Sequence, residues 1–325
     1  MYTSMNRIVS FILLIIFFEN AFSQENSIYN NDYLDPFIIN PACTGAENYP
    51  VAHLSVKKQW LGFSGSPSTY LLSGNYRIGE YDFYDPKGFV NKGPLQLKDR
   101  IGLGASIFKD NNGPLENTGG LISYAYHLPL KNNSKFSLGM SVIMAHYALN
   151  SSILKPNEIN DSYLLTGNAN IFRANLGFGV FYYNNTYFAG VSVNKFLPGI
   201  SNVNESIKEL PSYFVMGGYK FWKNNYAFNI EPSITLKKLR NENLIIDTHA
   251  KLYVKRLNWI AFSYSSSQKL NFQFGLKLYK MLYVGYDYEQ NISNIASYNY
   301  GTHEISLGIN LGLISIEGVR ETVKN

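Results

Sequence analysis

After Pro50 the sequence alternates with period two almost to its C-terminus, and this constrains the fold more than any other feature. Leu270, Phe272, Phe274, Leu276 and Leu278 share one parity, and Asn271, Gln273, Gly275 and Lys277 the other. The pattern recurs in Ile305, Leu307, Ile309 and Leu311 against Glu304, Ser306, Gly308 and Asn310. It recurs again in Phe172, Ala174, Leu176, Phe178 and Val180 against Arg173, Asn175, Gly177 and Gly179, and in Ile101, Leu103, Ala105 and Ile107 against Gly102, Gly104 and Ser106. Side chains alternate across a strand, so each run is a strand with one apolar face. A soluble sandwich would turn Lys, Glu and Thr to water on the opposite face. Here that face carries Gly, Ser, Asn and Gln, which suits the crowded lumen of a barrel whose apolar face meets lipid.

Composition removes the competing classes. The 325 residues are 46% hydrophobic and 16% charged, with 26 Tyr and 21 Phe, too apolar and too weakly charged for a disordered chain. Lys plus Arg exceed Asp plus Glu by 28 − 23 = +5, spread along the chain, which argues against nucleic acid as a partner. A mean hydropathy of −0.13 excludes a bundle of membrane helices, which needs several apolar runs of roughly twenty residues.

Counting the alternating runs predicts an all-β fold, a transmembrane antiparallel barrel of about fourteen strands, an even number as bacterial single-chain barrels require. The first is expected at Val51–Trp60 and the last at Thr302–Leu311, with Asp99–Phe108, Thr118–Leu130, Lys135–Leu149 and Thr186–Leu197 among those between. Tight connectors such as Lys131–Ser134, Asn184-Asn185 and Lys280 alternate with longer ones, Lys109–Asn117, Asn150–Gly167, Pro198–Leu210 and Gln290–Gly301. Short turns on one side and long loops on the other is the outer-membrane pattern, with both termini periplasmic. The connector Gly79–Lys98 breaks the rule and is a candidate docking element on the periplasmic side. Tyr126, Tyr147, Tyr182, Tyr183, Tyr187, Trp222, Tyr226, Trp259, Tyr279 and Tyr283 fall near expected strand ends, where amphipathic rings suit the membrane interface.

The N-terminus has a different character. Arg7 gives a positive start, Ile8 to Phe18 is apolar apart from Ser10, and Ala21-Phe22-Ser23 supplies small residues where a signal peptidase reads. Residues 1–23 therefore read as a signal peptide cleaved before Gln24, followed by a leader or plug over 24–50, a barrel over 51–312 and a polar tail over 313–325. This organisation places the protein in the outer membrane, in contact with its lipid. Cys43 is the one cysteine, so it forms no internal disulfide; it lies too far from the apolar run to be lipidated and reads as a small, half-buried residue.

No catalytic constellation stands out, and neither a cofactor nor a metal site is expected. Gly102-Leu103-Gly104 and Gly177-Phe178-Gly179 are strand glycines rather than a phosphate loop, because no helix start follows them. His53, His127, His146, His249 and His303 are scattered singly. Asp287 and Glu289 share a face and read as a solvated or salt-bridged lumen pair rather than as catalytic carboxylates.

The most specific stretch reads Asp35-Pro36-Phe37-Ile38-Ile39-Asn40-Pro41-Ala42-Cys43-Thr44-Gly45, then Gln59-Trp60-Leu61-Gly62-Phe63-Ser64-Gly65-Ser66-Pro67. Asn40-Pro41 and Thr44-Gly45 are turn-forming pairs that fold the leader back on itself, and Gly62, Gly65 and Pro67 make a tight hairpin between the first two strands. These residues resemble the PorP/SprF family of type IX secretion and gliding proteins of the outer membrane. The match rests on Asn40, Pro41, Ala42, Gly45, Gln59, Trp60, Gly62, Phe63, Gly65 and Pro67, and its close part spans about Asp35 to Ile78. The resemblance implies a non-enzymatic role. It implies support for export and surface anchoring of adhesins that carry a type B C-terminal secretion domain, with periplasmic secretion components as further partners. The motif residues are then the candidates for partner binding or for the plug. The alternative is a fatty-acid-transporter-like barrel that takes up a hydrophobic small molecule, which a lateral opening or an apolar lumen pocket would favour.

Overall fold

The computed structural model describes residues 34–47, 50–78, 100–131, 134–150, 170–196, 200–201, 210–221, 228–239, 243–254, 258–279, 281–293, 296–297 and 299–310. The strands are β1 (Val51–Lys58), β2 (Ser68–Ile78), β3 (Ile101–Asn112), β4 (Leu115–Pro129), β5 (Lys135–Leu149), β6 (Ile171–Tyr183), β7 (Tyr187–Asn194), β8 (Ile200–Ser201), β9 (Ser212–Tyr219), β10 (Phe228–Lys238), β11 (Leu244–Val254), β12 (Asn258–Ser265), β13 (Lys269–Tyr279), β14 (Leu282–Asn291) and β15 (Thr302–Asn310). Apart from β8, each pairs antiparallel with the strands beside it in sequence, β7 pairing with β9, and β15 returns to β1 to close the ring. The two-residue β8 is not a wall strand of its own. It pairs with β6 at Arg173 and Ala174, above the point where β7 stops, and Phe196 N donates to Leu176 O at 3.0 Å on the way. β7 and β8 are thus one interrupted wall strand, and the molecule is a closed fourteen-strand antiparallel barrel. The end where Val51 lies opposite Asn310 is called the near end below, and the opposite rim the far end.

Parity sorts the side chains as the alternation requires. Leu72 is 51% exposed and Ile122 61%, while their neighbours Ser73 and Ser123 are 3% and 1% exposed. Apolar residues face outward, and the small polar ones face a lumen in which residues of all fourteen wall strands are buried. Outward tyrosines mark two levels, Tyr70, Tyr213 and Tyr264 toward the far end and Tyr76, Tyr187, Tyr219 and Tyr279 toward the near end. On β2 and β9 the two levels are joined by the same outward row, Tyr70-Leu72-Gly74-Tyr76 and Tyr213-Val215-Gly217-Tyr219. Aromatic girdles flanking an apolar band are the mark of a barrel fitted to a bilayer.

Two expectations are corrected. Tyr147, Tyr183, Trp259 and Tyr283 lie near strand ends but share the lumen parity: Arg173 stacks over the Tyr147 ring, Tyr183 hydrogen-bonds to His127, Lys251 lies over Trp259, and Tyr283 meets the His53 ring edge-on. Position along a strand sets the height of a ring, but parity sets its face. Lys109–Asn117 is not a loop either. β3 and β4 run on to a two-residue turn at Gly113-Pro114, with Asn112 opposite Leu115. The extension is polar and was invisible to an apolar alternation; Thr69 donates to Asp110 at 2.7 Å and Lys109 pairs with Glu116 at 3.3 Å across the ladder. Of the girdle candidates, Trp222 and Tyr226 lie outside the described residues, as does the segment 79–98.

Candidate functional site

The leader lies inside the barrel. Pro36 and Pro41 each open a single 3-10 turn, Pro36–Ile38 and Pro41–Cys43, where a missing N–H leaves no bond unmade. The Asn40 side chain caps the second turn by accepting from Ala42 N at 3.0 Å, and Thr44 Oγ1 donates to Pro41 O at 2.7 Å. Cys43 N donates back to Asn40 O at 2.9 Å and Ala46 N to Cys43 O at 2.9 Å. The turn is therefore encoded in its own residues. Gly45 ends it with φ +71°, a left-handed conformation that an L side chain resists. A Cβ there would also meet Tyr76 O and the Gly102 Cα, both at 3.0 Å.

The wall makes room for the turn with glycines on its lumen face. An added Cβ would overlap the Thr44 carbonyl at Gly102, the Pro41–Ala42 peptide at Gly139, and the Asn40 amide at Gly179. At Gly190 it would lie 2.7 Å from Asn40 Nδ2, and at Gly104 3.2 Å from the Phe37 ring. Asn40, Pro41, Ala42 and Thr44 are all buried in this seat. Phe37, Ile38 and Ile39 pack into one apolar cluster with Leu71, Phe108, Leu121, Ile143, Phe181 and Phe214 of the wall.

Wall side chains also satisfy the leader's polar groups. Ser192 and Asn194 donate to Ile39 O at 2.7 and 3.0 Å, Asn40 Nδ2 donates to Val180 O at 3.1 Å, and Gly45 N donates to Asn75 Oδ1 at 2.9 Å. At the start of the leader Asp35 pairs with His53 at 2.9 Å and accepts from Ser73 at 2.6 Å. At its end His127 Nε2 donates to Thr44 O at 2.8 Å, while Nδ1 accepts from Tyr183, whose hydroxyl in turn accepts from Arg77. The partners fix the tautomer, since one ring nitrogen faces a carbonyl and the other a hydroxyl. Buried polar groups cost free energy unless paired, so this pairing holds the leader at one depth and in one register. The Cys43 side chain is enclosed, with Met216 Sδ 3.8 Å away, so it is buried rather than half-buried as the sequence suggested. Burial pushes its thiol up, so it stays protonated.

The rest of the lumen carries charges, several of them paired. Lys237 pairs with Asp247 at 2.8 Å, and Glu289 lies 3.9 Å from Lys57 and 3.7 Å from Lys269. Asn271 and Gln273 both donate to Asp287 Oδ2, at 3.1 and 2.8 Å. Asp287 and Glu289 are thus lumen carboxylates with partners. Among the described residues no group of three His, Cys, Asp or Glu side chains is disposed to hold a metal.

The second half of the motif lies at the far rim. Gln59 N donates to Pro67 O at 2.9 Å and Lys58 Nζ to Ser66 O at 2.9 Å, closing the β1–β2 hairpin. The hairpin is tied to the β14–β15 connection, because Leu61 N donates to Gly301 O and Tyr300 N to Leu61 O, both at 2.8 Å. Trp60, Gly62 and Gly65 have φ of 49°, 92° and 76°. At Gly62 a Cβ would come within 2.7 Å of the Tyr300 ring. The outcome is a pinned loop that holds Leu61, Phe63 and Tyr300 in the open, at 42%, 55% and 74% exposure. The structure therefore splits the motif residues: Asn40, Pro41, Ala42 and Gly45 lie in the lumen, and Gln59, Trp60, Gly62, Phe63, Gly65 and Pro67 at the far rim. Sequence reasoning missed the wall half of the seat. Its visible signal was the alternate glycines, while His53, Ser192 and Asn194 carried none.

The family model of the type IX secretion system membrane protein PorP/SprF matches residues 21–309, which takes in the leader, the hairpin and the wall. The chain belongs to the PorP/SprF family. As a member it is a membrane component of type IX secretion, which points away from an enzyme and toward work with other parts of that machinery. None of the curated proteins matches it. Among solved structures it is similar to the outer membrane protein Omp33 of Acinetobacter baumannii, at 12% identity over 81% of this chain and 97% of that one, TM-score 0.44. It is also similar to the KdgM porin, at 10% identity over 80% and 98%, TM-score 0.36, and to a mutant Rh. blastica porin, at 8% over 81% and 98%, TM-score 0.33.

Proposed function

We propose that this PorP/SprF barrel supports export and surface anchoring of an adhesin with a type B C-terminal secretion domain, holding it at the far rim. In this reading the signal peptide is 1–23, cleaved before Gln24, the leader 24–50, the barrel 51–312 and the tail 313–325. The near end, with the segment 79–98, faces the periplasmic secretion components, and the far rim faces outward. The observation that carries the reading is the pinned hairpin. Its backbone is tied down at both ends while Leu61 and Phe63 remain exposed, and a preorganised apolar tip loses little freedom on binding a protein partner. Uptake of a hydrophobic molecule is disfavoured, because the apolar lumen residues Leu71, Phe108, Leu121 and Phe214 already pack with Phe37, Ile38 and Ile39 of the leader.

The test is the double substitution Leu61→Ser with Phe63→Ser, both on exposed side chains. Barrel levels in the outer membrane are expected to stay normal while surface display of the adhesin falls. Normal display at normal barrel levels would remove the hairpin from the partner site.

A further inference from the structure

The fourteen-strand wall closes through strand pairing alone, from β1–β15 round to β5–β6, and the leader takes part in none of those ladders. Removing the leader would break no wall bond. The leader in turn makes its own shape: two proline-started turns, the Asn40 cap and the Thr44 bond to Pro41 are all internal to residues 35–46. What joins the two parts is a set of short non-covalent contacts of the kind that bind a peptide. Ser192, Asn194 and His127 read its carbonyls, Asn75 reads the Gly45 N–H, and His53 with Ser73 holds the Asp35 carboxylate.

The fit is selective as well as tight. The Asn40 amide enters a gap bounded by Gly179 and Gly190, and the Ala42 backbone lies against Gly139, where the wall has no side chain to withdraw. Ala42 itself is fully buried, so a larger side chain has nowhere to go. Phe37, Ile38 and Ile39 supply the apolar anchors.

We infer that the glycine-lined lumen seat is a peptide-binding site, and that the leader is its exchangeable ligand in cis. The ligand class is a short peptide that places an aromatic and two aliphatic residues ahead of an Asn-Pro-Ala turn closed by Thr-Gly. A segment of that chemistry on another chain competes for the same seat, so the barrel has a receptor function inside its lumen that is separate from its rim.

Cys43, the only cysteine in the chain, reports directly on seat occupancy, because its side chain is enclosed when the leader is seated. The link between leader and wall, residues 47–50, is replaced by a protease site in the full-length protein, which is folded in detergent and then cut. A tethered ligand rebinds at an effective concentration in the millimolar range, so cutting is needed before a free peptide can compete. Synthetic peptide 34–47 carrying Cys43→Ser is added, and both maleimide labelling of Cys43 and retention of the severed leader are followed. The severed leader is expected to remain bound through washing, then to leave as peptide is added, with labelling accelerated by at least about tenfold. The same peptide carrying Ala42→Leu is expected to compete at least about tenfold more weakly, as overpacking a closed site implies. Retention of the severed leader against millimolar peptide would make it a fixed core rather than a ligand. Its loss on washing, or equal competition by the Ala42→Leu peptide, would likewise overturn the assignment.

Discussion

At Gly139 a single hydrogen atom decides whether the leader fits. The position is on the lumen face of β5, and any Cβ there overlaps the Pro41–Ala42 peptide. Gly139→Ala is expected to destabilise the barrel by about 1–3 kcal/mol, the usual cost of overpacking, read as a lower unfolding temperature in detergent. Gly217→Ala on β9 is a control for generic glycine effects, since its backbone is not left-handed and its added Cβ would meet only Phe188 O, at 3.5 Å. The contrast between charge pairs belongs to the same scale. Lys237 and Asp247 have side chains 2% and 9% exposed, whereas Lys109 and Glu116 are 47% and 40% exposed. Asp247→Asn removes the carboxylate 2.8 Å from the buried Lys237 ammonium and, as the breaking of a buried pair, is expected to cost up to about 3–5 kcal/mol. Glu116→Gln at the solvated rim is expected to change stability by about 0–1 kcal/mol. Chemical unfolding of the two variants side by side checks the ranking.

At the scale of elements, the hairpin and the extended β3–β4 ladder shape the far rim. Gly62 and Gly65 both sit at positive φ, so either one changed to Ala loses roughly 1–2 kcal/mol of backbone conformational energy. Gly62 also faces the Tyr300 ring, while the space at Gly65 is open. Gly62→Ala is therefore expected to loosen the rim more than Gly65→Ala, seen as faster proteolytic nicking of the β14–β15 connection. The elements were largely legible in the sequence because period two is a strong signal wherever the outward residues are apolar. Lys135–Leu149 coincides with β5 to the residue, and the other wall strands agree to within a few positions at each end. The signal failed where strands leave the bilayer. Asp110, Asn111, Asn112, Glu116 and Asn117 continue the ladder through polar pairs, and polar residues in water carry no alternation to read. It failed in a second way for Tyr183 and Tyr283, whose heights were right and whose faces were wrong.

For the molecule as a whole, the functional half of the sequence was legible as a motif but not as geometry. Asn40-Pro41-Ala42 announced a turn in a leader expected to plug the barrel, and Trp60 to Pro67 a hairpin between the first two strands, yet nothing in either gave the depth of the leader or the wall side chains that hold it. The wall partners that decide this, among them His53, Ser73, His127 and Ser192, come from β1, β2, β4 and β7, and each is unremarkable alone. The seated leader has a direct consequence. With residues 35–45 packed against the lumen face of the wall, the purified protein is expected to give no lasting single-channel conductance in planar bilayers. Steady porin-like steps would show that the leader does not fill the lumen in the membrane.

On the proposed function, this PorP/SprF barrel is a scaffold that holds a secreted surface protein at its far rim. Affinity isolation of the tagged protein from gently solubilised outer membranes, with mass spectrometry of what stays attached, tests it most directly. A large surface protein is expected to be retained through its C-terminal domain, and to be lost from the Leu61→Ser, Phe63→Ser variant. Recovery of the barrel with only lipid or a small hydrophobic molecule would contradict it.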